Sequence, residues 1–251
     1  MPRPIKIDFV SDVSCPWCII GLRGLEEALE RTRDVVDATI TFQPFELNPN
    51  MPPEGENIVE HIGHKYGSTP EQSAANRTMI RERAATVGFT MAMSDQSRIY
   101  NTFDAHRLLH WAEGEGRQAA LKHALFDAYF TDGQNPSDHA VLIAAAEKAG
   151  LDGAPARAVL ESGLYAQEVR DAERDQFQRT GLHARIGVDG GEVAAKQGCA
   201  GGAKVGHLPG DGVANPRPAV RGQQHQRGEQ GHCDAGGAEV GAGEDVPRGR
   251  A

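Results

Sequence analysis

Two cysteines, three positions apart, lie where a strand-like segment runs into a helix-like segment, and this arrangement constrains the fold most. Residues 5–10 (IKIDFV) alternate apolar and polar side chains, which predicts a short strand. The stretch VSCPWCIIG follows and holds the pair Cys15 and Cys18. Apolar residues then recur at helical spacing and predict one buried helix face. That face comprises Cys18, Leu22, Leu25 and Leu29.

Pro16 places the cysteines on the helix, because proline fits the first helical position, where a missing N–H group costs nothing. Cys15 is then the expected N-cap and Cys18 the third helical residue. An N-cap side chain accepts hydrogen bonds from the next N–H groups, and the helix dipole adds positive potential. We therefore expect a lowered pKa at Cys15, the attacking thiol, and a shielded resolving thiol at Cys18. Trp17 is expected to be partly exposed and, with Pro16, to contact the substrate.

Metal binding and a structural disulfide are the alternative uses of a C-x-x-C pair. A zinc site needs a second ligand pair, yet Cys199 and Cys233 stand alone. His61 and His64 form only a weak H-x-x-H pattern. A structural disulfide is uncommon at a helix start in a cytoplasmic chain. Redox use is therefore favoured, and no metal site is assigned.

Composition argues against several classes of partner. The chain has 251 residues and a formal net charge of −9, which argues against nucleic-acid or anionic-membrane binding. No apolar run reaches transmembrane length, and the N-terminus lacks the charged start and apolar core of a signal peptide. Four cysteines do not make a disulfide scaffold. We expect a cytoplasmic protein; its oligomeric state is not fixed by the sequence.

A second alternating run follows the first helix, with Ile40 and Phe42 on one side, and it ends at Pro44. Strand, helix and strand over residues 5–45 predict a βαβ unit with parallel strands. The cysteines then lie at the carboxyl end of the first strand, where open α/β sheets place their sites.

The middle of the chain is predicted to be helical. The predicted helices lie in residues 58–66, from Pro70 to Gly88, in 101–116, in 120–130, in a helix capped by Ser137 and ended by Gly150, and in 164–180. Four histidines fall on these helices and receive no catalytic role, because scattered helical histidines are usually solvated or satisfied by neighbours. They are His106, His110, His123 and His139.

Four ordered blocks resemble a known family. They are SDVSCPWCIIG, FQPFELNPNMPPEG, NTFDAHRLLHWA and FDAYFTDGQNPSDHAVLIAAAEKAGLD. Over roughly residues 5–184 the chain resembles the cytoplasmic DsbA-like thioredoxin-fold oxidoreductases of the frenolicin-biosynthesis type. The resemblance implies an α/β fold with a thioredoxin-like core (1–50 and 164–184) and a large inserted α-helical domain (51–163). It also maps the family's redox pair onto Cys15 and Cys18.

The composition changes abruptly at Arg185. Residues 185–251 hold 17 of the 30 glycines, and of Leu, Ile, Phe, Tyr, Trp and Met they contain only Ile186 and Leu208. Such a segment buries too little apolar surface to offset its chain entropy, so a disordered tail is predicted.

The family's pattern differs from this tail. After the segment TGLHA (residues 180–184), the resemblance implies a cis-proline facing the cysteines, an antiparallel strand pair and a last helix. In this chain the first proline after Ala184 is Pro209. The C-terminal strand pair and helix are therefore expected to be missing. Loss of reading frame near residue 184 and a divergent tail both explain the change.

Three functions stay open at this level. A dithiol–disulfide oxidoreductase acting on a protein or small-molecule substrate is favoured, because thiol exchange needs two thiols. It needs no bound cofactor, although glutathione can serve as a thiol co-substrate. The alternative is a glutathione-dependent isomerase or transferase of the 2-hydroxychromene-2-carboxylate isomerase or kappa-class type, which typically carries serine at the first position. A non-catalytic remnant is the third, since the tail departs from the family.

The tail gives the first testable prediction. We expect backbone amides between Ile186 and Val246 to exchange their hydrogens without protection, because no strand or helix periodicity is present there. Hydrogen exchange read by mass spectrometry measures this, with the amides of residues 103–111 as an internal control. Strong protection in a soluble monomer would contradict the prediction.

Overall fold

The computed structural model describes residues 1–180, which contain a parallel strand pair, a short antiparallel ladder and eight α-helices. The elements are β1 (Arg3–Ser11), α1 (Pro16–Arg31), β2 (Val36–Pro44), β3 (Glu56–Asn57), α2 (Ile58–Tyr66), α3 (Pro70–Thr86), β4 (Arg98–Ile99), α4 (Phe103–Gly114), α5 (Gln118–Phe126), a π-helical turn (Asp127–Thr131), α6 (His139–Lys148), α7 (Gly153–Ser162) and α8 (Ala166–Thr180). The predictions for residues 185–251, including the disordered tail, the missing strand pair and the lost reading frame, lie outside the described residues.

The predicted βαβ unit is confirmed. β1 and β2 pair in parallel, in a register that runs from Arg3 opposite Val36 to Ser11 opposite Pro44. β2 ends at Pro44, as the sequence predicts. Four residues separate the end of β1 from the crossover helix α1, so the N-terminus of α1 lies at the carboxyl end of β1.

Two hydrophobic clusters hold the described residues together. The first packs Val13 among side chains of α4 to α7. The second packs Ile19 and Leu22 of α1 and Phe42 of β2 against residues from α3 and the π-helical turn. Helices of the predicted insertion therefore pack directly on the segment that carries the cysteines. The division into core and inserted domain stays a prediction.

One helix start differs from its prediction. Ser137 does not cap α6; Asp138 does, because its side chain accepts a hydrogen bond from the N–H of Ala140 at 2.8 Å. The Ser137 hydroxyl instead donates to the carbonyl of Asn101 at 2.6 Å. A carboxylate next to the helix thus takes the capping role from the hydroxyl.

The last described helix also starts later than predicted. α8 begins at Ala166 rather than at residue 164, because Gly163 and Tyr165 both have left-handed backbone, with φ of 72° and 64°. By contrast, α3 begins at Pro70 as predicted, behind a capping box made by Thr69 and Gln72.

Two leucines of α1 give a stability prediction. Leu22 is fully buried and Leu29 half-buried. We expect Leu22→Ala to lower the free energy of unfolding by about 3 kcal/mol, and Leu29→Ala by less than half of that, because the cost follows the cavity left behind. Urea unfolding followed by circular dichroism measures both. The two variants make the same Leu→Ala exchange inside one helix, so equal losses would contradict the burial seen here.

Candidate active site

The two cysteines occupy the predicted positions at the start of α1. Cys15 is the N-cap, with extended backbone, Pro16 is the first helical residue, and Cys18 is the third. Both are free thiols and half-buried. The N–H of Cys18 donates to the carbonyl of Cys15 at 3.1 Å, and the N–H of Cys15 to the carbonyl of Asp12 at 3.3 Å. The backbone therefore holds the pair in a closed turn.

The prediction of a lowered pKa at Cys15 is wrong. The sulfur of Cys15 makes no capping hydrogen bond, although the nearby N–H of Cys18 weakly favours its anion. A hydrogen bond between the two thiols, followed by burial, raises the pKa of Cys15 well above its ordinary value. The same bond, with the charge of Lys122, lowers the pKa of Cys18 against the cost of burial. The first proton that the pair loses therefore leaves a thiolate on Cys18, which the thiol of Cys15 stabilises by a hydrogen bond.

Trp17 is 43% exposed, which confirms the prediction that it is partly exposed. Pro16 beside it is half-buried. An aromatic ring next to two thiols offers an apolar contact surface. Contact of Pro16 and Trp17 with a substrate stays a prediction.

Asp12 lies fully buried three residues before Cys15. Its carboxylate accepts hydrogen bonds from the N–H of Ser14 at 3.1 Å and of Leu47 at 2.7 Å. Nε2 of His106 lies 3.6 Å from the carboxylate, longer than a good hydrogen bond. Burial opposes the charged form, but His106 and the two N–H groups outweigh it, and the pKa of Asp12 lies below its ordinary value.

Lys122 of α5 is also fully buried and lies close to the end of β1. Its Nζ donates to the carbonyl of Ser11 at 3.4 Å and lies 5.1 Å from the ring centre of Phe126 and 5.9 Å from that of Phe42. Burial lowers the pKa of Lys122 to about 8, while the Cys18 thiol acts in the opposite direction.

Glu46 follows β2 and is 2% exposed. One carboxylate oxygen pairs with Arg170 of α8, and the other has no hydrogen-bond partner among the described residues. Arg170 also contacts Glu173 at 2.7 Å and stacks 3.8 Å from the ring centre of Phe103. Burial, and then the charge of Glu173, raise the pKa of Glu46 to about 7.

The sequence analysis missed these buried charged groups. His123 and His139 do find carboxylate partners, at 2.6 Å and 2.8 Å, as expected of helical histidines. His106 is instead buried beside Asp12. The sequence holds one signal that Lys122 is buried. Phe126 lies four positions later and therefore on the same face of the helix, and that face is largely apolar.

No group of three or more metal-binding side chains occurs within residues 1–180. His61 contacts Glu56 at 2.6 Å and Asn48 at 3.0 Å instead. Over the same residues, no helix has the length and apolar character needed to cross a membrane.

The chain, with its free thiol pair at the N-terminus of a crossover helix, is similar to known proteins. The sequence profile of the DSBA-like thioredoxin domain matches residues 6–182. The chain belongs to this family. Its members are thiol oxidoreductases and isomerases with a thioredoxin-like α/β fold, so the fold class and the resemblance drawn from the sequence are confirmed.

Three similar proteins illustrate the family. The uncharacterized protein YwbO of Bacillus subtilis (strain 168) is 26% identical over 180 residues, covering 72% of this chain and 84% of YwbO. The crystal structure of the probable DsbA oxidoreductase SCO1869 from Streptomyces coelicolor is 33% identical, with a TM-score of 0.65 over 70% of this chain and 76% of that one. A 2-hydroxychromene-2-carboxylate isomerase shares the fold at 16% identity, with a TM-score of 0.52 over 70% and 80% of the two chains.

Glu46 gives a pH prediction. Its pKa of about 7 in the folded protein lies above the ordinary 4.5. Between these pH values the folded state keeps a proton that the unfolded state has lost, so the free energy of unfolding falls as pH rises through this window. We expect Glu46→Gln to remove a loss on the order of 2 kcal/mol between about pH 5 and about pH 7.5.

Urea unfolding at the two pH values measures this difference. Glu82→Gln is the matched control, because Glu82 is exposed and the substitution removes a carboxylate in the same way. Parallel pH profiles for wild type and Glu46→Gln would show that Glu46 does not titrate in this window.

Proposed function

We propose that this protein is a dithiol–disulfide oxidoreductase that exchanges a Cys15–Cys18 disulfide or dithiol with thiols of a protein or small-molecule substrate. One observation carries the proposal: two free thiols lie three positions apart at the N-terminus of α1. Family membership supports it. No bound cofactor takes part; glutathione can act as a thiol co-substrate. We propose a cytoplasmic location, where thiol pairs are kept reduced.

Cys15 is the attacking residue in this proposal. It precedes the helix with extended backbone, whereas Cys18 lies inside the first turn and packs against the second hydrophobic cluster. As the sulfur of Cys15 attacks one sulfur of a substrate disulfide, its proton passes to the thiolate of Cys18. The substrate S–S bond breaks, a mixed disulfide forms, and one substrate thiolate leaves.

Cys18 resolves the mixed disulfide. It gives its proton to the departed thiolate, attacks the sulfur of Cys15, and releases the second substrate thiolate. The protein is oxidised by two electrons, and the substrate disulfide is reduced to one thiol and one thiolate. The reverse sequence oxidises a substrate dithiol. Trp17 and Pro16 contact the substrate beside the reacting sulfur atoms in either direction.

A glutathione-dependent isomerase is the second candidate, because a 2-hydroxychromene-2-carboxylate isomerase has a similar fold. Activation of glutathione needs no thiol from the protein. The presence of both Cys15 and Cys18 therefore favours thiol exchange.

Cysteine variants test the function. We expect Cys15→Ser to abolish reduction of a disulfide substrate, because no attacking thiol remains. Cys18→Ser should accumulate a mixed disulfide at Cys15, because nothing resolves it. Reduction of insulin or of a small aromatic disulfide measures activity, and mass spectrometry identifies the adduct. Cys199→Ser is the matched control and should keep wild-type activity.

Two outcomes would overturn the assignment. Full glutathione-dependent isomerisation of a chromene carboxylate by Cys15→Ser would favour the isomerase. No disulfide exchange by the reduced wild-type chain would indicate a non-catalytic protein.

A further inference from the structure

We propose that Lys122, contributed by a helix of the predicted insertion, is a positioning residue for the thiol chemistry and couples a proton to it. Its ammonium group balances the thiolate of the reduced pair, and it releases a proton when that thiolate becomes part of the disulfide. The inference deepens the proposed function and rests on it.

The surroundings of Lys122 are the first support. The side chain is fully buried, and among the described residues its three N–H donors find one acceptor, the carbonyl of Ser11 at 3.4 Å. The rings of Phe126 and Phe42 lie beside the ammonium group and supply only weak cation–π attraction. A buried charge with so few hydrogen bonds needs nearby anions.

Those anions belong to the thiol site. The charges of Asp12, Cys15 and Cys18 all act on Lys122, and the thiolate of Cys18 is the strongest of them. The reverse effect is also present, since the charge of Lys122 favours the thiolate of Cys18. Within residues 1–180, the groups whose charge acts on Lys122 are Asp12, in the turn after β1, and the two cysteines at the start of α1. The ionisable groups that line the same cavity as Lys122 come from α4 and are His106, His110 and Glu113.

A small cavity connects Lys122 with the surface. It has a volume of about 90 Å³, and both Lys122 and His106 line its buried part. His110, half-buried, and Glu113, exposed, line the same cavity. Along this cavity, polar side chains therefore lie between buried Lys122 and the surface.

Oxidation changes the balance at Lys122. The reduced state holds one thiol proton, one thiolate and one ammonium group. With a substrate disulfide, these become the Cys15–Cys18 disulfide, a neutral lysine and two substrate thiols, so electrons, protons and charge balance. Once the thiolate is gone, burial still lowers the pKa of Lys122, and of these anions only Asp12 remains to raise it. The ammonium form therefore becomes less favourable.

Proton counting tests this coupling on the full-length chain. A pH-stat measures the net proton change when reduced protein is oxidised by glutathione disulfide between about pH 6 and about pH 9, and the protons bound by the two glutathione thiols that form are added to it. Absorbance at 240 nm independently counts the thiolate present at each pH. For the wild type we expect more protons than the protein thiols held before oxidation, with the excess greatest below pH 8, because the pKa of Lys122 is about 8 in the reduced protein and lower once the thiolate is gone.

Lys122→Met supplies the comparison, since methionine keeps the length and apolar stem. We expect the excess protons to disappear and the thiolate to titrate about one pH unit higher, a roughly tenfold loss of thiolate below that pH. Lys122→Arg should keep the low thiolate titration but lose the excess, because arginine does not deprotonate. Gln118→Met is the matched control, because Gln118 is buried one turn earlier on α5, lines the same cavity, and carries no charge.

The outcomes separate the two proposals. If the wild type exchanges with glutathione but releases only the thiol protons, Lys122 does not couple to the reaction, whether or not Lys122→Met folds. Unchanged thiolate titration in a folded Lys122→Met variant also overturns the proposal. A wild type that does not exchange at all overturns the proposed function and the Lys122 inference together.

Discussion

The carboxylate of Asp12 joins the two chain segments on which the site depends. One oxygen accepts the N–H of Ser14, just before the cysteines, and the other accepts the N–H of Leu47, just after β2. The carbonyl of the same residue accepts the N–H of Cys15. Hydrogen bonds to a buried carboxylate are strong and costly to lose. They fix where α1 begins relative to the strand pair, and so where the thiols lie.

Helix α5 connects the helices of the predicted insertion to the βαβ unit at three points. Gln118 exchanges hydrogen bonds with the backbone N–H and carbonyl of Phe42, at 2.9 Å and 3.1 Å, and so satisfies part of the β2 edge. Lys122 reaches the last residue of β1, and His123 contacts Glu26 of α1 at 2.6 Å. One helix thus contacts both strands and the crossover helix. Its position is therefore tied to that of the cysteines.

Burial sets the electrostatics of this region. Water is excluded from Asp12, Glu46, His106 and Lys122. Each charge must therefore be balanced by its neighbours, and the proton affinity of one group depends on the state of the next. The thiol pair belongs to this set, because the charge of Lys122 favours the anion of Cys18 and the two thiols are hydrogen-bonded to each other. A change in the oxidation state of the cysteines is felt by groups that never touch a substrate.

The sequence by itself determined the elements that depend on local pattern. The alternation at residues 5–10, proline at the first helical position, and the leucine spacing of α1 were sufficient to place Cys15 as N-cap and Cys18 one turn in. Helix starts marked by a particular residue type, such as Pro70 at the first position of α3, were also predictable. The tertiary structure decided the state of the thiols and the charged groups behind them. A pKa depends on burial and on the distance to other charges, and Lys122, whose charge favours the Cys18 thiolate, lies about a hundred positions along the chain from the cysteines. No local periodicity carries that information, so the expected thiolate at Cys15 was wrong although its position was right.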